Sequence, residues 1–214
     1  MTTTHKYYAL NKPYNMLSQF IGNGSPNRLL SEIDFNFPPE IHAIGRLDNL
    51  SEGLLLLTTN KKVTKLLFES KRPHQRRYLI QVANDVNEDT LQKMRNGVSI
   101  FVKGGVYYTT KECEVYIVDG RQYDFSNGFT PHKNAPHTWL LISLTEGKFH
   151  QVRKMVFALG HRCKRLIRLS IEDMHLDNLA PGEVKEYSEE DFFELLHLLD
   201  DLISPISKIS KFSN

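Results

Sequence analysis

The stretch Gly45-Arg46-Leu47-Asp48-Asn49-Leu50-Ser51-Glu52-Gly53-Leu54-Leu55-Leu56-Leu57-Thr58 joins a polar turn to an unbroken apolar run. Residues 45–53 have turn chemistry and no helical period. Residues 54–58 fit a buried strand. An acidic side chain, Asp48, thus stands just before that strand, and two readings of it are open. Its carboxylate serves an Asx-turn by accepting backbone N–H bonds, or it is a nucleophile or base at the mouth of a cleft.

Upstream, residues 7–10 read as a short strand ended by Asn11-Lys12-Pro13, residues 21–25 as a loop, and residues 41–44 as a brief strand. Downstream, Asn60 caps a helix whose apolar face is Val63, Leu66 and Leu67. Residues 76–83 alternate, with Tyr78, Ile80 and Val82 on one face of a strand. Residues 88–94 form a helix, 114–118 a strand, 119–137 a long polar loop and 139–144 another strand. Val152, Met155, Val156 and Leu159 then fall at helical spacing before Gly160, which suits a C-terminal cap. Residues 164–170 alternate as a strand, and Ser188 with Asp191 starts an amphipathic helix through Leu199. Strands follow one another without regular helix alternation. This disfavours a doubly wound parallel sheet and predicts an α+β domain with a largely antiparallel sheet.

Hydrophobic residues are 40% and charged residues 24% of the 214, which places the chain among folded globular proteins. Cys113 and Cys163 lie far apart and form no CxxC pair, so they read as buried thiols in a reducing cytoplasm. The first residues lack the apolar core of a signal peptide, and no run reaches membrane-spanning length. The net charge of +2 hides an uneven distribution. Basic residues gather between Lys61 and Arg77 and between Lys148 and Arg168, while residues 172–201 are mostly acidic. Such a division offers one cationic face to a polyanion, the alternative being solvated surface charge.

Three further side chains stand out. Arg153 is one step from the apolar row of its helix, with Phe149, Val156 and Phe157 around it, so it either snorkels or meets a carboxylate. Should that carboxylate be Asp48, the guanidinium favours its ionised form. Tyr78 is either an ordinary core tyrosine or a stacking surface for a nucleotide. The sequence contains no P-loop, HExxH, GxSxG or Rossmann glycine pattern, and the nine histidines form no metal-like cluster.

Taken together, residues 45–58 resemble the catalytic signature of the bacterial ribosomal pseudouridine synthases, in the small-subunit synthase A branch. Arg76-Arg77-Tyr78-Leu79-Ile80-Gln81-Val82 resembles the motif carrying that family's active-site tyrosine. Glu146-Gly147-Lys148-Phe149-His150-Gln151-Val152-Arg153-Lys154-Met155 is similar to its third motif, and Lys164-Arg165-Leu166-Ile167-Arg168-Leu169 to the strand that follows. His150 stands where a basic residue is usual in this branch.

The resemblance implies an α+β core with a central mixed, mainly antiparallel sheet flanked by helices and loops. Residues 1–203 are expected to form a catalytic domain of two subdomains sharing that sheet, with a cleft between them. Residues 204–214 are expected to be a flexible tail, and no S4-type RNA-binding module is expected. The implied reaction isomerises a flipped-out uridine to pseudouridine in ribosomal RNA, specifically 23S RNA, with no metal, no organic cofactor and no membrane partner, by a monomer. The resemblance assigns catalysis to Asp48, Tyr78 and Arg153, with Arg153 pairing Asp48. It has Leu166 lining the uracil pocket, Arg46 filling the vacated stack, and Lys148, Lys154 and Arg165 contacting RNA. Two rival readings are a non-catalytic RNA-binding or ribosome assembly factor on the same fold, and a small-molecule hydrolase using Asp48. Retention of Asp48, Tyr78 and Arg153 argues against the first, and the lack of a second well-placed carboxylate against the other.

Overall fold

The computed structural model describes residues 4–22, 24, 26–69, 72–120 and 136–199. The expected tail, 204–214, and most of the expected loop at 119–137 lie outside these residues.

The first strands are β1 (Tyr7–Lys12), β2 (His42–Ile44) and β3 (Glu52–Thr58), followed by α1 (Lys62–Glu69) and β4 (Arg76–Ala83). Next come α2 (Glu88–Arg95), β5 (Ser99–Val102), β6 (Val106–Thr109), β7 (Glu114–Val118) and β8 (His137–Leu144). The chain continues with α3 (Gln151–Ala158), β9 (Cys163–Ile171), β10 (Met174–His175), β11 (Val184–Tyr187) and α4 (Glu189–Leu195). The described strands form one main sheet in the order β11-β1-β3-β9-β4-β8-β7, with β2 added on β3 and β10 on β9. Every pairing in it is antiparallel except β3 with β9. The sheet is therefore mixed and mainly antiparallel, and the fold is α+β.

The parallel pairing is short, Glu52 to Ile167 and Gly53 to Arg168, and it depends on a glycine. Gly53 has φ +95°, and a Cβ there would lie 2.3 Å from the Arg168 carbonyl oxygen. Only a residue without a side chain lets the two backbones approach so closely.

Leu54, Leu55, Leu56 and Leu57 are all fully buried, because apolar clusters cover both faces of β3. On one face Leu54 and Leu56 join Tyr7, Ile167 and the α4 phenylalanines Phe192 and Phe193. On the other, Leu55 and Leu57 pack with Tyr8, Met16 and Leu30. Each such leucine contributes roughly 1.5–3 kcal/mol by leaving water. A separate cluster joins Ile80, Val82, Leu140, Val152, Met155 and Leu166. Tyr78 packs against both this cluster and that of Tyr8, so it marks their seam.

Several boundaries differ from the sequence expectation. β1 runs through Asn11 and Lys12, both buried, and stops only at Pro13. β8 begins at His137 because Ala83 pairs with it across the β4 edge. The β5–β6 hairpin had no counterpart in the expectation, although Gly104 (φ +94°) and Gly105 (φ +79°) supply its turn. α4 ends at Leu195 rather than Leu199, since the chain turns left-handed at His197 (φ 55°). The α3 end agrees with expectation. His161 N–H donates to the Val156 carbonyl and Gly160 N–H to that of Phe157, closing the helix on a left-handed glycine.

Candidate active site

Where the seam opens lies a cavity of about 560 Å³, large enough for a nucleoside. Asp48, Tyr78, Arg46, Lys148 and Leu166 all line it. Four separate stretches of sequence are thus brought to one place.

Asp48 sits in a turn held from two sides. Ser51 N–H donates to the Asp48 carbonyl at 3.0 Å, which tightens the turn itself. Ser18 Oγ donates to the Leu47 carbonyl and accepts from Leu47 N–H, at 2.8 and 3.0 Å. Lys12, fully buried, donates from Nζ to the carbonyls of Pro13 and Met16, with that of Asn49 at 3.5 Å. Burial pushes the Lys12 ammonium down to about 7, against the pull of the Glu52 and Asp48 carboxylates.

The second anchor is Arg153. Its Nη2 donates to the Leu50 carbonyl at 2.7 Å and lies 3.4 Å from Ser51 Oγ. The expected pairing with the Asp48 carboxylate is therefore not made, because the carbonyl two residues on intercepts the guanidinium. The side chain facing Asp48 is His150, whose Nε2 is 3.2 Å from Oδ1, an ion pair only when the ring is protonated. His150 adopts a left-handed conformation (φ 55°, ψ 29°) at the start of α3 and stacks on Phe149 at 3.8 Å. A positive φ outside glycine is strained, and sequence carries no sign of it.

The basic clusters divide by depth. Arg46 and Lys148 are exposed at the rim, with the Lys148 ammonium 4.5 Å from the Tyr108 ring centroid. Lys154 does not line the cavity; its ammonium is 5.4 Å from the centroid of the exposed Phe149 ring. Arg165, expected to contact RNA, is instead 5% exposed and bound in a two-point ion pair to Glu52, at 2.8 and 2.9 Å. Strand alternation explains this: Leu166 and Arg168 point to the cavity face of β9, Arg165 and Ile167 to the other.

Two buried arginines that sequence reasoning left in the general basic cluster also line the cavity, Arg76 and Arg168. Arg76 lies over the Phe68 ring at 4.9 Å. Burial lowers its affinity for its proton, with the Tyr78 phenol opposing and Arg168 adding to the shift. Arg168 Nε donates to the Leu54 carbonyl at 2.7 Å. Both belong to stretches of alternating residues whose period, read for facing, would have put Arg76 beside Tyr78 and Arg168 beside Leu166.

An aspartate, an aromatic ring and a leucine stand around one nucleoside-sized cavity, and comparison with known proteins decides the family. Residues 6–158 match the RNA pseudouridylate synthase family. The chain belongs to that family. Ribosomal large subunit pseudouridine synthase E of Xanthomonas axonopodis pv. citri (strain 306) is 37% identical over 175 residues, covering 80% of this chain and 88% of the relative. The synthase of the same name from Vibrio vulnificus (strain CMCP6) is 37% identical over 184 residues, covering 86% and 75%. A solved pseudouridylate synthase superposes with a TM-score of 0.72 at 25% identity, covering 89% of this chain and 74% of that one. The protein is thus an RNA pseudouridine synthase, an isomerase. No helix among the described residues is long and apolar enough to cross a membrane.

Proposed function

We propose that this synthase isomerises one uridine of ribosomal RNA, in the 23S RNA of the large subunit, with Asp48 as the group that acts on the ribose. What carries the reading is the convergence of Asp48, Tyr78 and Leu166 on one cavity at the seam of the sheet. The large-subunit names of the similar synthases support the choice of RNA.

A base inside a helix cannot be turned, so the uridine first leaves its stack, and Arg46 at the rim occupies the vacated space. Asp48 then attacks C1′ or removes the C2′ proton, and either route begins from its ionised form. His150 faces the carboxylate, while Arg153 is a positioning residue that acts through Leu50 and Ser51. Tyr78 stacks on the detached base, and Leu166 packs against it and keeps water out. Lys148 and Lys154 take phosphates, which set register without reading sequence. The rearrangement is internal and redox-neutral, so neither metal nor organic cofactor has a step to perform. The enzyme works as a monomer in the cytoplasm. Its residues 1–203 act as two subdomains that share the sheet and meet at the cleft.

Mapping pseudouridines in RNA from cells with and without the gene tests the substrate. One 23S position should lose its modification and regain it with the wild-type gene, not with Asp48→Asn. An unchanged map would overturn the assignment.

A further inference from the structure

Arg76, Tyr78 and Arg168 form one patch of the cavity wall. Arg76 and Tyr78 share a face of β4, and Tyr78 pairs across the strands with Arg168. Arg76 and Arg168 are 7% and 3% exposed. Neither forms an ion pair with a carboxylate among the described residues, Glu172 acting on Arg76 only from beyond contact distance, and Arg76 Nε and Arg168 Nη2 are buried without a hydrogen-bond partner. The Arg76 guanidinium is wedged between Phe68 and Gly147, where a Cβ would come within 3.2 Å of Nη1. Burying a charge unpaired is costly, on the order of several kcal/mol per ion even after relaxation. Two such charges side by side repel as well. Asp48 and Glu146, the carboxylates lining the same cavity, are held by other groups, so the two arginines call for a negative partner from a ligand.

Depth identifies the partner. A phosphate stays with the RNA strand outside, where Arg46 and Lys148 wait at the rim. The group that goes deepest is the base. Uracil in uridine is neutral and gives two buried cations little to hold. It becomes an anion in the reaction. When C1′–N1 breaks, the bonding pair leaves on N1, and the charge spreads over N1, O2 and O4. At the same moment Asp48 becomes neutral, either by bonding through oxygen to C1′ or by taking the C2′ proton. One negative charge thus moves from Asp48 to the base. When C5 then bonds to C1′, Asp48 recovers its charge or returns its proton to C2′, and the C5 proton is transferred overall to N1.

We infer that Arg76 and Arg168 form the counter-charge for the detached uracil anion, so that the cavity favours the state in which the base carries the charge. The inference rests on the reading of Asp48 given above. It makes the two arginines catalytic residues of the electrostatic kind, stronger toward the transition state than toward bound uridine.

The test compares leaving groups. The target RNA is prepared with uridine or with 5-fluorouridine at the modified position. Fluorine stabilises the departing anion by itself, so it partly replaces the arginines. Arg168→Gln should slow loss of the uridine substrate on the order of 100-fold, and loss of the 5-fluorouridine substrate on the order of tenfold. Arg76→Gln should show the same imbalance. Each ratio is taken within one preparation, so partial unfolding cancels. Equal slowing of the two substrates would overturn the inference, as would weakened RNA binding that accounts for the loss, the mark of a phosphate site. A second measurement avoids these variants. In Asp48→Asn at pH 8, free 5-fluorouracil should bind several-fold more tightly than free uracil, and equal or weaker binding counts against the proposal. If wild-type enzyme fails to convert the uridine RNA at all, it is the underlying reading that falls.

Discussion

Arg165 and Arg168 stand three residues apart on β9 and are almost equally buried, at 5% and 3% exposure. Arg165 faces Glu52 and is matched charge for charge. Arg168 faces the cavity, with one backbone carbonyl as its described partner. The same residue type, on one strand, thus serves a closed ion pair on one side of the sheet and an open charge on the other. Buried charge on the Glu52 side is finished by the protein. On the Asp48 side it is left for a ligand to complete, and a fold accepts that only where chemistry requires it.

The largest effect should come from Asp48. Asp48→Asn is expected to lower pseudouridine formation by on the order of 10⁴-fold or more, with RNA affinity and melting temperature nearly unchanged. Retained tritium release from 5-tritiated uridine in RNA would refute its role. The opposite profile is expected across the sheet. Glu52→Ala takes the carboxylate away from the buried Arg165 guanidinium, which costs about 3–5 kcal/mol. Chemical denaturation should report that loss, while single-turnover rates of the protein that remains folded stay close to wild type. Replacing Glu52 and Arg165 together by methionine should recover most of the stability. A double variant no better than Glu52→Ala would erase the proposed difference between the two sides.

How much of this contrast could be read from sequence follows from what periodicity encodes. Alternation along residues 76–83 and 164–170 fixes which side chains share a face within each strand, whereas a shared pocket for Tyr78 and Leu166 is implied only by the family resemblance. It does not reveal that the partner of Arg165 is Glu52, because that pairing comes from a parallel contact between strands more than a hundred residues apart. Arg165 therefore looked like one more member of a basic surface. His150 was equally hidden, since its approach to Asp48 depends on a left-handed backbone that the residue type disfavours. The β5–β6 hairpin is legible in the sequence, since Gly104-Gly105 between two short apolar stretches is a turn signal.

Arg153 tests whether the open side depends on its scaffold. Arg153→Ala removes the bond to the Leu50 carbonyl, worth about 1.5–3 kcal/mol for a charged donor, and so should slow turnover by about 10- to 100-fold. Being a positioning residue, it should change kcat more than KM, and Arg153→Lys should restore part of the rate. An unchanged kcat would remove it from the site. Lys12 supplies a gentler probe. In the unfolded chain it keeps its proton up to its ordinary value of 10.5, whereas burial lowers the folded value to about 7. Between those limits the unfolded state binds more protons, so this group makes stability rise with pH, by up to about 1.4 kcal/mol per unit. Below about 7 both states are protonated and the slope vanishes. The window should be read from pH 7 to 8.5, because burial lifts Cys113 and Cys163 to about 11 and reverses the sign above 9. Denaturation midpoints should climb across it in wild type and stay flat in Lys12→Met.

The smallest change separates packing from chemistry within the open side itself. Tyr78 touches two apolar clusters through its ring, and no hydrogen bond to its hydroxyl is made among the described residues. Tyr78→Phe therefore keeps the stacking surface and strands no partner, so stability should move by less than about 0.5 kcal/mol. Any loss of rate then belongs to the hydroxyl. If that group helps to remove the C5 proton, the rate should fall by about 3- to 10-fold, the equivalent of one net hydrogen bond. Deuterium at C5 should then slow the variant more than it slows wild type, because proton removal has become the harder step. An unaltered rate with an unaltered isotope effect would confine Tyr78 to stacking, and would leave the charge on the base to Arg76 and Arg168 alone.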